Sequence, residues 1–206
     1  RQRQRLGVLN RVLRHNLRNE ADVIRSHAER LEDTEPQAAI LDATDRLTTL
    51  GSRARRIDRI MSKDINPTRI DLADRIHDVL SVLDTDGLTV RTTIPDDRII
   101  VTDGEILDSV LRSPLENAVT HAEGSVSVTV EPEDTGCTIE IGDDGPGIPA
   151  GEIESLAADT ETPLQHSRGL GLWELQWGVD ALGGDLSVEA DDGTTVRIRV
   201  PNRTEQ

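Results

Sequence analysis

The chain has 206 residues, enough for two small domains, and 35% of them are hydrophobic, so an ordinary core is possible. Its formal net charge of −16 repels polyanions, which argues against nucleic acid and against an anionic membrane surface as partners. The single cysteine, Cys137, excludes an internal disulfide and a cysteine cluster for a metal, as expected of a cytoplasmic protein.

The acidic excess is rich in Asp, and Lys63 is the only lysine among 23 cationic residues. We interpret this composition as halophilic, because a Debye length of about 3 Å near 1 M salt screens self-repulsion. No apolar run approaches the roughly 20 residues that span a bilayer, so we expect no direct membrane contact. The chain opens inside a predicted helix at Arg1, so we expect a fragment whose upstream part is missing, and membrane association of a longer parent protein stays open.

Two apolar stripes at helical spacing occupy the first part of the chain. The first runs from residue 6 to about 32 and the second from Ile40 to about 63, with a break at Thr34-Glu35-Pro36. A hairpin of two such helices covers its stripes poorly by itself, whereas two hairpins form a four-helix bundle. We therefore predict a homodimer, with a helical hairpin over residues 1–64 and a second domain over 65–206.

The second domain mixes strands and helices. The pattern predicts helices over 73–83, 104–121 and 170–182, and strands near 69–72, 88–94, 98–102, 126–130, 138–141, 186–189 and 195–200. The polar segment 149–168 has no clear periodicity and is typical of a mobile lid. The predicted fold class is α + α/β, in which the bundle is followed by an α/β sandwich.

On the first helix, His15 points about 170° away from the middle of the apolar stripe, so its imidazole should face solvent. A lone surface His is usually a solvated polar residue, but Asn19 lies one turn further on the same face. The segment Arg14-His-Asn-Leu-Arg-Asn19 resembles the H-box of histidine kinases. The resemblance implies that His15 accepts a γ-phosphoryl group and passes it to an aspartate of a response regulator receiver domain, and that Asn19 positions water for the reverse reaction.

Asn16 departs from the H-box pattern, in which an acidic residue takes the proton from the attacking imidazole. An amide at this position can only hold the ring's tautomer. The base would then come from the ATP-binding domain, or forward kinase activity would be weak.

A second segment, Leu111 to His121, resembles the N-box of the same family, and by that resemblance Asn117 offers its amide oxygen to Mg²⁺. Ser113 stands where a second Asn is usual, and Thr120 stands where a Lys often reaches the phosphates. His121 or Arg168 would supply the missing cation.

A third segment, Asp143-Asp-Gly-Pro-Gly-Ile-Pro149, matches the G1 box pattern, although Asp-Gly and Gly-Pro are also common turn dipeptides. The resemblance implies that Asp143 accepts a hydrogen bond from the adenine amino group. Gly145 and Gly147 would let the backbone turn tightly against the base.

The fourth segment, Ser167-Arg-Gly-Leu-Gly-Leu172, opens a helix and resembles the G2 box. By that resemblance Arg168, Gly169, Leu170 and Gly171 bind phosphate at a helix N-terminus. Thr194, in a segment that resembles the end of these domains, would contact adenine through water.

The resemblance spans residues 5 to 201 and predicts a sensor histidine kinase core that uses ATP and Mg²⁺, with a response regulator as partner and an N-terminal sensor region missing. Asn16, Ser113 and Thr120 leave open an ATP-binding pseudokinase scaffold. A hydrolase of the gyrase and chaperone type is disfavoured, because Ser113 stands where those enzymes carry a catalytic Glu.

Overall fold

The computed structural model describes residues 23, 24, 40, 60, 65–95, 98–149, 153 and 170–203. Almost all of the predicted hairpin, including His15, Asn16 and Asn19, lies outside the described residues. The four-helix bundle, the homodimer and the domain division therefore stay predictions.

Residues 68–201 form an α/β sandwich, as the sequence pattern predicts. Its helices are α1 (Leu72–Ser81), α2 (Gly104–His121) and α3 (Leu170–Leu182). Its strands are β1 (Thr68–Asp71), β2 (Thr89–Thr93), β3 (Ile99–Thr102), β4 (Ser125–Glu133), β5 (Gly136–Asp143), β6 (Asp185–Glu189) and β7 (Thr194–Pro201). None of the described helices is long and apolar enough to cross a membrane.

The five-stranded sheet has the order β2-β4-β5-β7-β6, and β1 pairs with β3 in a separate two-stranded sheet. Only the β2–β4 pair is parallel among these described strands. Alternate residues of β4, β5 and β7 are buried, which is the period of a sheet with one covered face. These residues share one hydrophobic core with α1, α2 and α3; among the fully buried members are Ile76, Leu107, Leu111, Leu115, Ile139, Val179 and Ile198.

The opposite face of the sheet is polar and carries a ladder of ion pairs. Arg197 bonds Glu140 and Glu189, both at 2.6 Å. Arg199 bonds Glu133 at 2.9 Å and Asp185 at 3.1 Å. Cross-strand pairs of opposite charge stabilise strand register, so this ladder helps to align β5, β6 and β7.

Helix α2 begins at a buried cap that also holds the entry to the domain. The Asp103 carboxylate accepts hydrogen bonds from the backbone N–H groups of Glu105 and Ile106, as N-cap residues do. Its second oxygen accepts from the N–H of Asn66 at 2.9 Å. Ile60 is also buried, and a Cβ at Gly178 of α3 would lie 3.8 Å from its Cδ1. The chain is thus anchored to the sandwich where it enters.

Candidate functional site

The candidate site lies at the edge of the sheet where β5 ends and β7 begins. Asp143, the last residue of β5, is the register partner of Thr194, the first residue of β7. Thr194 is buried and Asp143 is half-buried. The Asp143 Oδ1 atom accepts a hydrogen bond from the N–H of Gly145 at 2.9 Å, which orients the carboxylate. The sheet therefore brings together two residues that the sequence assigns to the same ligand.

The turn after Asp143 is held too tightly for side chains. A Cβ at Gly145 would lie 2.3 Å from the carbonyl oxygen of His121, and one at Gly193 would lie 2.1 Å from the carbonyl oxygen of Asp143. Gly147 has a φ of +78°, a conformation that L side chains rarely adopt. The segment is thus clamped between the end of α2 and the turn before β7. The sequence assigned no role to Gly193, because nothing local shows which backbone approaches it.

Helix α2 contributes one face to the site. Ser113, Asn117 and His121 follow one another at four-residue spacing, so they lie along the same side of the helix. Ser113 is buried, Asn117 is half-buried and His121 is exposed in the last turn. The row therefore runs outward from the core to Gly145 in the turn after Asp143, which we call the G1 turn.

Ser113 joins α2 to the start of α3. Its hydroxyl donates a hydrogen bond to the carbonyl oxygen of Gly171 at 3.2 Å, in a buried position. Thr120 is occupied differently, since its hydroxyl donates to the carbonyl oxygen of Glu116 at 2.6 Å within the same helix. Both residues at which the N-box pattern is not matched thus donate hydrogen bonds to backbone carbonyl oxygens.

Asp144 is a site residue that the sequence reasoning missed. Its carboxylate accepts hydrogen bonds from the loop that joins α2 to β4, and these bonds, led by the one from the Ser125 backbone, lower its pKa to about 2. An Asp next to a turn often accepts backbone N–H groups, but a sequence does not show which loop it will meet.

Several predicted site residues lie outside the described residues: His15, Asn16, Asn19, Arg168 and Gly169. Leu170 and Gly171 form the first residues of α3. Among the described residues, no group of three or more His, Cys, Asp or Glu side chains could hold a metal ion. A metal at this site would therefore need ligands of another kind, such as an amide oxygen and a bound phosphate.

Comparisons with known proteins point to one family. The family model described as histidine kinase-, DNA gyrase B- and HSP90-like ATPase matches residues 102–204, half of the chain. A probable sensor histidine kinase HK of Mycobacterium tuberculosis is 26% identical over 170 residues, covering 78% of this chain and 45% of that protein. Sensor histidine kinase ZraS of Escherichia coli O157:H7 is 26% identical over 211 residues, covering 94% of this chain and 45% of that protein. The chain thus spans less than half the length of these relatives.

Solved structures share the fold. Histidine kinase AdeS of Acinetobacter baumannii has a TM-score of 0.72 at 17% identity, covering 92% of this chain and 98% of that one. Histidine kinase ThkA in complex with response regulator protein TrrA has a TM-score of 0.75 at 20% identity, covering 98% of this chain and 64% of that one. These likenesses show the fold. The matched family model supports the predicted ATPase core, and it shows that the chain belongs to the histidine kinase-, DNA gyrase B- and HSP90-like ATPase family.

Proposed function

We propose that the chain is the catalytic core of a sensor histidine kinase, which transfers the γ-phosphoryl group of Mg-ATP to His15 and then to an aspartate of a response regulator. The observation that carries the proposal is the pairing of Asp143 with Thr194 beside a glycine turn. The curated relatives are sensor histidine kinases, and ThkA was solved with a response regulator. Such a kinase core would act in the cytoplasm.

Recognition of adenine is the first step. One oxygen of Asp143 is held by the N–H of Gly145, and the other accepts no hydrogen bond from the described residues. That second oxygen suits the exocyclic amino group of adenine, which donates a hydrogen bond where guanine has an acceptor. Thr194 would reach the same base through water. The residues present therefore fit the base of ATP.

Phosphate and Mg²⁺ would lie along α2, further from the base. Asn117 offers an amide oxygen, the kind of neutral ligand that completes a magnesium site otherwise built from phosphate oxygens and water. His121, Arg168 and the backbone at Gly169 to Gly171 would neutralise the remaining charge. When bound, Mg²⁺ supplies charge stabilisation to the transferring phosphoryl group, while the protein supplies position.

The acceptor of the phosphoryl group is a side chain rather than water. A hydrolase of the gyrase type needs a carboxylate at the position of Ser113, and this serine is buried and bonded to Gly171 instead. No general base for water therefore stands at that position. His15 would act as nucleophile, with Asn16 holding its tautomer and Asn19 positioning water when the phosphoryl group is removed from the response regulator.

A second candidate function is a pseudokinase that binds ATP and a response regulator without phosphorylating itself. Thr120 favours it, because its hydroxyl is turned onto the carbonyl of Glu116 and the long cation usual at this position is missing. Asn16 favours it as well, since an amide cannot accept the imidazole proton.

Labelling with γ-labelled ATP in molar KCl separates these functions. If the chain is a kinase, the label should be acid-labile and alkali-stable. It should be lost in His15→Gln and kept in His27→Gln, a matched control on the same predicted helix. ATP binding without label would support the scaffold. ATP turnover that continues in His15→Gln would support a hydrolase and refute the proposal.

The predicted homodimer is tested separately by light scattering.

Asp143→Asn should weaken ATP binding, whereas Asp134→Asn, at an exposed turn between β4 and β5, should not. Unchanged ATP affinity in Asp143→Asn would remove the main support for the proposed site.

A further inference from the structure

Asp144 is exposed, yet its carboxylate accepts four hydrogen bonds from one short loop. Oδ1 accepts from three consecutive backbone N–H groups, those of Glu123, Gly124 and Ser125, each at 3.0 Å. Oδ2 accepts from the Ser125 hydroxyl at 2.9 Å. Successive N–H groups that converge in this way form a concave site for an anion. Here the anion is part of the protein itself.

The bonds join two parts of the candidate site. The loop at Glu123 to Ser125 follows the last turn of α2, the helix that carries Asn117. The backbone N–H of Asp144 also donates to the carbonyl oxygen of Ser125 at 3.3 Å. Gly145, the next residue, lies so close to His121 that a Cβ there would be 2.3 Å from its carbonyl oxygen. The G1 turn is therefore bonded through Asp144 to the loop after α2, and at the next residue, Gly145, it lies close against the end of α2.

The two adjacent aspartates accept different hydrogen bonds. Asp143 uses one oxygen in a local bond to Gly145, whereas both oxygens of Asp144 are occupied by the loop. The pKa of Asp144 lies at about 2, chiefly because of the hydrogen bonds from the backbone of Ser125 and Gly124, so the carboxylate is charged at neutral pH. Hydrogen bonds to a charged acceptor are shorter and stronger than those to a neutral one. Asp144 thus links the loop after α2 to the G1 turn.

We propose that Asp144 is a positioning residue for adenine recognition: it fixes the loop after α2 to the G1 turn, and so holds the Asp143 carboxylate at a set distance from the helix that carries Asn117. This inference rests on the proposed function, in which the Asp143 carboxylate accepts a hydrogen bond from the adenine amino group. Nothing in the sequence pattern requires this role, since the second residue of the motif is unspecified there.

The test compares ATP with inosine triphosphate, which lacks the exocyclic amino group that Asp143 would read. Binding of each nucleotide is measured by calorimetry in molar KCl with Mg²⁺, for the whole chain. Asp144→Ala should weaken ATP binding by about tenfold and bring the ratio of the two affinities towards one. Asp144→Asn keeps an oxygen that can accept the three N–H groups, so it should restore most of the preference for ATP.

Asp71→Ala is the matched control. The Asp71 carboxylate also accepts two backbone N–H groups, those of Ala73 and Asp74, but it caps α1 outside the site. This variant should lose stability without changing the affinity ratio. Should Asp144→Ala fold poorly, Ser125→Ala removes a single bond and should shift the ratio less, in the same direction.

An unchanged affinity ratio in both Asp144→Ala and Ser125→Ala would overturn the inference. An equal shift in Asp71→Ala would overturn it as well, because the effect would then be one of general stability. If the unmodified chain binds ATP and inosine triphosphate equally well, the assignment of Asp143 in the proposed function fails, and the positioning role fails with it.

Discussion

Gly145→Ala tests the geometry of the site with a single methyl group. A Cβ at this position would lie 2.3 Å from the carbonyl oxygen of His121 and 2.9 Å from Oδ1 of Asp143. Ordinary contacts between such atoms are above about 3.4 Å, so one backbone segment must move by about 1 Å. The end of α2 is held by its helical hydrogen bonds, among them the one that the N–H of Ala122 donates to the carbonyl oxygen of Ala118 at 2.8 Å, so the turn that follows Asp143 should move instead and displace its carboxylate.

A movement of about 1 Å is larger than the range of roughly 0.5 Å over which hydrogen-bond lengths normally vary. The bond between Asp143 and the adenine amino group should then be lost. Hydrogen bonds to charged groups contribute about 1.5–3 kcal/mol, so the dissociation constant for ATP should rise by about 10- to 150-fold.

The assay is calorimetric titration with Mg-ATP in molar KCl, together with thermal unfolding to confirm that each variant is folded. Gly124→Ala is the matched control, because a Cβ there would meet Oδ2 of Asp144 at 3.5 Å, an ordinary contact, and its N–H bond to Oδ1 is kept. Gly145→Ala that folds and binds ATP within twofold of the unmodified chain would refute the argument that this turn positions the base.

Other outcomes follow from burial and charge. Leu111→Ala, at a fully buried position, should lower the free energy of unfolding by about 2–5 kcal/mol in a urea titration, and a loss below about 1 kcal/mol would contradict its place in the core. Burial raises the pKa of the Cys137 thiol to about 11, so iodoacetamide at about pH 8 should label it only after unfolding. Ser113→Ala should cost about 1 kcal/mol in the same urea titration, since Gly171 loses a hydrogen-bond donor. Because the folded pKa of Asp144 is about 2, below its ordinary value, its contribution to stability is complete above about pH 4 and is lost as the pH falls through about 2. The difference in unfolding free energy between the unmodified chain and Asp144→Asn should therefore shrink on acidification, and a constant difference would show that the charge is not involved.

The secondary structure of the sandwich was predictable because its signals are local. Val196, Ile198 and Val200 alternate with polar residues, and this period marks a strand with one covered face wherever the strand pairs. The helix predicted over 73–83 is observed at Leu72–Ser81, one residue earlier at its start, because the Asp71 side chain caps it there. Asn117 lies on the helix predicted over 104–121, whereas Asp143, expected directly after a strand, is the last residue of the longer strand β5.

Contacts between distant segments were not predictable in this way. In the sequence, Ser113 is only a departure from the N-box pattern. In the structure, its hydrogen bond to Gly171 joins α2 to α3. In the sequence, Asp144 is an unspecified residue of a turn. In the structure, its carboxylate accepts hydrogen bonds from the loop after α2. Each of these bonds depends on how two segments pack, and no local pattern records that.

Periodicity, caps and glycine motifs act over a few residues, so the amino-acid order alone decided the elements, the family and the residue types of the site. The approach of the His121 carbonyl to Gly145 and of the Asp143 carbonyl to Gly193 was decided only when the sheet and α2 packed together. Distances of this kind depend on the burial of a whole core, in which every side chain constrains its neighbours, and they are a property of the folded domain.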